Sequence, residues 1–119
     1  MRYLLMICTS EAEDAARSPE EVAAGTAAYT AFGEEMSARG VLEGGERLRP
    51  TTDATTVRVR DGEVLTADGP FAETKEQVAG YYLVDCKDLD EAIEVAARIP
   101  DVRRGSIEIR PVMEVGMPS

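Results

Sequence analysis

The sequence predicts an α+β fold of the ferredoxin-like class, a split βαβ sandwich with an added β-hairpin. Apolar segments and helix signals follow one another in the order strand, helix, strand, hairpin, strand, helix, strand. The chain has 119 residues, which on the usual length of roughly 100–200 residues per domain predicts a single domain. We expect this domain to span residues 1–115, with 116–119 as a short tail.

The first strand and the first helix are marked by an apolar run and by a capping signal. Residues 1–8 are apolar enough to be buried on both faces, and the polar segment 9–17 is predicted to be a loop. Ser18 and Glu21 have the spacing of a capping box, and the helix that they start is predicted to end at Gly40 in a left-handed cap.

The middle of the chain predicts a weak strand and a strong hairpin. Residues 41–48 form the strand, in which Gly44-Gly45 suggests a bulge. Two short β segments, 55–60 and 63–68, are separated by Asp61-Gly62, which is a favoured two-residue turn. This pair therefore predicts the added hairpin.

The last third of the chain predicts the second half of the βαβ pattern. Residues 73–78 suggest a single helical turn, and 80–86 read as a strand. Asp88 is placed to cap a second helix that Pro100 stops, and alternation over 106–115 predicts the final strand. Two helices cover only one face of the sheet, so we expect a homodimer in which a second copy covers the other face.

Composition excludes several classes of partner. With 44% hydrophobic and 30% charged residues the chain is an ordinary globular protein and not a disordered one. The 13 basic residues are outnumbered by 23 acidic ones, for a net charge of −10. Such a surface repels phosphate backbones and anionic lipid surfaces, so we expect neither nucleic acid nor membrane as a partner.

The residues that are missing exclude several kinds of site. The chain has no His, so neither a Ser-His-Asp triad nor a His-ligated zinc site can form. Cys8 and Cys86 are predicted to be buried thiols in a reducing cytoplasm, with a disulfide as the minor alternative. We therefore expect a cytoplasmic protein without a metal or another cofactor. We expect no membrane-spanning helix, because no apolar run reaches the ~18 residues that a membrane span needs.

One block of sequence resembles a known family. Residues 68–76, with the sequence DGPFAETKE, are followed by Gly80-Tyr81-Tyr82. Together they resemble the signature of the DGPF group within the YCII-related proteins. The hairpin segment 55–62 and the ending 105–112 are similar to the same group, so the resemblance covers nearly the whole chain.

The resemblance implies a cytoplasmic bacterial protein that forms a dimeric α+β barrel from two facing sheets. It does not imply a settled activity. Some YCII relatives pair a His on the first helix with an Asp, and here Tyr29 lies at about that helix position. That mechanism cannot be carried over because the chain has no His. Genes of this group often adjoin extracytoplasmic-function sigma factors, which suggests a regulatory role by association only.

The DGPF block supplies the first candidate site residues. Asp68 is interpreted either as a turn-stabilising carboxylate or as a general base at the mouth of a pocket. Glu73 and Lys75 are interpreted either as part of a solvated charged face or as site residues beside Phe71. In the second case Glu73 is a candidate acid and Lys75 a candidate anion-binding group.

The other candidates lie on the predicted helix and strands. Tyr29 is either a core tyrosine or a catalytic acid, and Arg110 either pairs with a Glu or binds a substrate carboxylate. Tyr81 and Tyr82 alternate across their strand, so one belongs to the core and the other is a candidate for lining a cavity. Arg103-Arg104 is predicted to be a solvent-facing pair in a turn.

Three functions fit these observations. The first is an enzyme that acts on a small metabolite by acid–base chemistry in a pocket at the dimer barrel, with Asp68 as base and Glu73 or Tyr29 as acid. The second is a non-catalytic module that binds a small ligand. The third is a protein-binding regulator of a sigma factor, which would need an exposed apolar patch. The sequence alone does not decide between enzyme and binding module.

Overall fold

The computed structural model describes residues 1–115, so the predicted tail lies outside the described residues. Along the chain, the strands and helices are β1 (Arg2–Thr9), α1 (Glu11–Ala15), α2 (Pro19–Ala38), β2 (Leu42–Arg47), β3 (Thr55–Arg60), β4 (Glu63–Asp68), β5 (Gln77–Asp85), α3 (Leu89–Ala96) and β6 (Ser106–Pro111). Two short 3₁₀ turns lie at Thr51–Asp53 and Pro100–Arg103.

Four strands form one antiparallel sheet in the order β2-β5-β1-β6. This is the strand order of a ferredoxin-like βαββαβ fold, so the predicted fold class is confirmed. Strands β3 and β4 pair only with each other within the described residues and form the added hairpin between β2 and β5. No helix in residues 1–115 is long and apolar enough to cross a bilayer.

Local signals start and stop these elements where the sequence predicts. The Ser18 hydroxyl accepts a hydrogen bond from the Glu21 amide at 3.1 Å, and the Glu21 carboxylate accepts one from the Ser18 amide at 3.2 Å. This capping box satisfies backbone donors at the start of α2. Gly40 has φ +73°, and the hairpin turn has φ +51° at Asp61 and +77° at Gly62. Positive φ at both turn positions matches the twist of the two strands.

The core lies on one face of the sheet. Alternate residues of β1 are buried there, and Leu5 at its centre has no exposed surface. Helix α2 packs Phe32 and Met36 against this face, and α3 packs Val95 against it. Burial of these side chains from both helices stabilises the two-layer sandwich at ~25 cal/mol per Å² of apolar surface.

The structure differs from the predicted secondary structure in three segments. Segment 9–17 is not only loop, because the Ser10 hydroxyl caps the Glu13 amide at 3.2 Å and starts α1. Residues 73–78 do not form a helical turn, since β5 begins at Gln77, which pairs with the end of β1. The last strand ends at Pro111 rather than at 115, because pairing with β1 ends there.

Within residues 1–115, no helix or strand covers the second face of the sheet. We define the open sheet face by the partly exposed side chains of Leu4 and Met6 on β1 and of Tyr81 and Leu83 on β5. Arg110 lies on the same face, opposite Leu4. Half-exposed apolar groups at the centre of a sheet are typical of a surface that packs against something else.

The hairpin arm, residues 55–68, projects from the body of the protein. The radius of gyration is 16.6 Å, compared with about 13.5 Å for a compact chain of this length. Val57, Val59 and Val64 share one face of the arm and keep 59%, 58% and 69% of their surface exposed. The base of the arm is held by the Gly69 amide, which donates to the Ala54 carbonyl at 2.7 Å.

Candidate functional site

A cavity of about 450 Å³ opens on the helix side of the sheet. Its walls come from β1, the first half of α2, β2, β5 and the 3₁₀ turn before β6. Ile7 and Val22 supply apolar surface, while Thr9, Tyr29 and Asp101 supply polar groups. Clefts of this size, with mostly apolar walls and a few converging polar groups, are typical of small-molecule sites.

One wall of the cavity is a continuous hydrogen-bond network centred on Arg104. The Tyr29 hydroxyl donates to Asp101 Oδ2 at 2.8 Å, and Arg104 Nε donates to Asp101 Oδ1 at 2.8 Å. Arg104 Nη2 also pairs with Asp14, whose Oδ2 accepts a hydrogen bond from the Thr9 hydroxyl at 2.9 Å. We call these five residues the Arg104 network.

Local structure brings the network together. Thr9 ends β1, Asp14 is on the Ser10-capped helix α1, and Asp101 lies in the turn that Pro100 begins. Gly105 lets this turn approach β1, because a Cβ at Gly105 would lie 2.1 Å from the carbonyl oxygen of Cys8. The close approach therefore requires glycine at this position.

The charged groups of the network stabilise each other. Burial tends to raise the pKa of Asp14, but the hydrogen bonds from Arg104 and Thr9 outweigh it, and the pKa falls below its usual range. Burial lowers the pKa of Arg104, and its bonds to Asp14 and Asp101 more than compensate. Burial and the bond to Asp101 raise the pKa of the Tyr29 hydroxyl, which stays a neutral donor. Within residues 1–115, no three His, Cys, Asp or Glu side chains are placed to share a metal ion.

Three of the predicted site residues line the cavity. Tyr29 belongs to the Arg104 network, although the acid role predicted for it is untested. Tyr82 points toward the helices, where its ring packs on Phe32 with ring centroids 5.0 Å apart. Tyr81 also forms part of the wall, while strand alternation directs its side chain to the open sheet face.

The other five predicted site residues lie away from this cavity. Asp68, Glu73 and Lys75 are exposed at and beyond the end of β4, and Phe71 keeps 77% of its surface exposed. Arg110 pairs weakly with Glu108, at 3.4 Å between Nη1 and Oε2. The structure does not bring these residues together with Tyr29 at the cavity.

Sequence reasoning missed Asp14, Arg17, Asp101 and Arg104. The prediction that both Arg103 and Arg104 face solvent is wrong for Arg104, which is half-buried between two carboxylates. A signal was present: Arg104 follows Asp101 by three residues, a spacing that suits ion pairs in a helical turn.

Asp68→Asn is expected to leave stability within about 0.5 kcal/mol of the wild type, because Asp68 is exposed. Within residues 1–115 its carboxylate accepts no hydrogen bond from a turn amide. Thermal unfolding of the two proteins should therefore give melting temperatures within about 3 °C of each other. A clear drop would show instead that Asp68 stabilises the turn after β4.

Comparison with known proteins gives a family match and a similar protein. Residues 1–116 match the YCII-related domain. A similar protein from Rhizobium meliloti (strain 1021), Uncharacterized protein R00369, is 40% identical over 114 residues, which is 94% of this chain and 92% of the relative. A domain match over nearly the whole chain and a relative of almost equal extent lead to one conclusion: the protein belongs to the YCII-related family.

Proposed function

We propose that the protein binds a small molecule in the cavity between α2 and the sheet, with the Arg104 network as its rigid polar wall. The observation that carries this proposal is the cavity itself, about 450 Å³ with Ile7 and Val22 on its apolar side and Tyr29 on its polar side. Hydrogen bonds already fix the polar groups, so a ligand would meet a preorganised wall.

Binding fits the electrostatics better than acid–base catalysis does. A general acid or base at neutral pH needs a pKa near 7. The pKa of Asp14 is lowered by its partners and that of Tyr29 is raised by burial, so both move away from that range. The predicted pairing of Asp68 as base with Tyr29 as acid is also disfavoured, because Asp68 lies outside the cavity.

We also propose that the protein acts as a homodimer in a bacterial cytoplasm. The open sheet face supports the dimer, since a second copy would cover Leu4, Met6 and Leu83. The free thiols of Cys8 and Cys86 fit a reducing compartment, and the Rhizobium relative fits a bacterial source.

The binding proposal is tested by thermal shift with a fragment set of neutral, anionic and cationic aromatic compounds. A ligand present at 100 times its Kd stabilises a protein by about 2.7 kcal/mol, which is a rise of several °C. Thr26 is exposed on α2 and lines the cavity, so Thr26→Trp is expected to fill it and remove the stabilisation.

Ala23→Trp is the matched control, because Ala23 is exposed on the same helix and does not line the cavity. This variant should keep the stabilisation seen with the wild type. The proposal fails when no compound of the set stabilises the wild type, or when the stabilisation persists in Thr26→Trp.

A further inference from the structure

Two arginines of the cavity wall form no ion pair with any of the residues that the structure describes. The first is Arg17, half-buried between α1 and α2. Its Nη2 donates to the backbone carbonyl of Glu21 at 3.0 Å. Among the described residues no carboxylate lies within 4.0 Å of it, in contrast to Arg104, which bridges Asp14 and Asp101.

Gly25 leaves room for the guanidinium group of Arg17. A Cβ at Gly25 would lie 3.2 Å from Nη2 and 3.5 Å from Nη1 of Arg17. Glycine inside a helix costs about 1 kcal/mol relative to alanine, and Gly25 lies within the 20-residue helix α2. The missing side chain allows the guanidinium group to approach the helix closely at the cavity wall.

The second arginine is Arg47, on the edge strand β2. It pairs with Gly80 of β5, and Gly45 pairs with Tyr82, which points toward the helices. Side chains alternate along a strand, so Arg47 shares the helix side with Gly45 while Glu46 takes the other side. Arg47 likewise has no carboxylate within 4.0 Å among residues 1–115.

The cavity is lined by three acidic side chains, Asp14, Glu46 and Asp101, and by three arginines, so its wall carries no net charge. Arg104 pairs with both carboxylates of the Arg104 network, whereas Arg17 and Arg47 form no ion pair among residues 1–115. The chain as a whole carries −10, so an even balance of charge at the cavity is not a consequence of composition. A guanidinium group offers a fork of N–H donors that matches a carboxylate in two parallel hydrogen bonds.

From these contacts we infer that the ligand of the cavity is a small organic carboxylate with an apolar body, held by Arg17 and Arg47. This inference rests on the proposed binding function and names its ligand class. The apolar surface of Ile7 and Val22 would receive the body of the ligand, and the two arginines would bind its charged end.

The test is titration calorimetry with phenylacetate and with phenylacetamide, which has nearly the same shape but no charge. Phenylacetate is expected to bind the wild type at least tenfold more tightly than the amide. Arg17→Gln and Arg47→Gln should each remove most of this preference and leave amide binding unchanged. Arg103→Gln is the control, since Arg103 is exposed and does not line the cavity.

Gly25→Ala provides a second variant that keeps both arginines. Its new methyl group would press on Arg17 at 3.2 Å, so phenylacetate affinity should fall several-fold while the protein melts no lower than the wild type. Circular dichroism melts of all variants would confirm that loss of binding is not loss of fold.

The outcomes separate the inference from the proposed function. Equal affinity for phenylacetate and its amide would overturn the carboxylate assignment and leave small-molecule binding intact. Inorganic phosphate that binds as tightly as phenylacetate would overturn it as well, because the site would then be a general anion site. If neither aromatic probe binds and no compound of the wider fragment set stabilises the protein, the carboxylate inference and the proposed binding function are both overturned.

Discussion

Arg104→Met is expected to destabilise the protein by about 2–4 kcal/mol at pH 7, because it removes one cation from between two partly buried carboxylates. Asp14 and Asp101 would then keep only neutral partners, the hydroxyls of Thr9 and Tyr29. For a chain of this length the loss corresponds to a fall of roughly 10 °C in melting temperature.

The pH dependence of that loss identifies its cause. In the wild type the pKa of folded Asp14 lies below its unfolded value, so its stabilisation is present at neutral pH and is lost as the pH falls through the folded pKa. In Arg104→Met, only the Thr9 hydrogen bond and the more distant charge of Arg17 would oppose the effect of burial on Asp14, so its folded pKa would rise from the wild-type value. The loss of unfolding free energy relative to the wild type would then be full at neutral pH. It would shrink as the pH falls through the raised pKa of Asp14.

Denaturant unfolding between pH 7 and pH 4 measures this difference directly. The gap in unfolding free energy between wild type and Arg104→Met should narrow as the pH falls. Arg103→Met, which removes the exposed neighbouring arginine, should differ from the wild type by no more than about 0.5 kcal/mol. A gap that is the same at every pH would show that packing of the Arg104 stem, and not its charge, stabilises the fold.

Leu83→Glu is expected to convert a dimer into a monomer. Leu83 lies on the open sheet face, where it pairs across strands with Leu4 and Gly44. In a dimer built on this face the introduced carboxylate would be buried without a partner, at a cost of several kcal/mol. In a monomer it would be solvated, so the variant should still fold.

Light scattering at micromolar concentration gives the mass in solution. The wild type should have twice the chain mass of 12.9 kDa, and Leu83→Glu should have the chain mass itself. Ala23→Glu adds the same charge to the exposed surface of α2 and should remain dimeric. A wild type that is already monomeric at this concentration would refute the dimer.

The sequence predicted the elements of the fold because their signals are local. The capping box of Ser18 and Glu21 and the turn at Asp61-Gly62 each lie within four residues of chain. In the Arg104 network the spacing of Asp101 and Arg104 is local, but its other contacts are not. Tyr29 and Asp101 are 72 positions apart, and Asp14 and Arg104 are 90 apart. Only the packing of α1, α2 and the turn before β6 against the end of β1 brings them together.

The sequence predicts the candidate site at a different place from the cavity, because the cavity residues carry no local motif. The DGPF block at 68–76 is the most distinctive stretch of sequence, and it concentrates charge and an aromatic residue. The structure places it at the base of the hairpin arm, while the cavity is lined by ordinary residues such as Thr9 and Asp101 that no motif marks. The sequence identifies Tyr29 as a candidate because of its position on the helix. It does not identify Arg104, because two adjacent arginines are typical of a solvent-exposed turn.

The hairpin arm makes the chain unusually easy to label. Its tip, Asp61-Gly62, is exposed, and the Gly69 amide bonded to the Ala54 carbonyl holds the arm at its base. Exposed loop tips tolerate inserted residues well. A fluorophore or a short epitope placed between Asp61 and Gly62 therefore reports on the protein in solution or in a cell extract while the body of the fold keeps its native sequence.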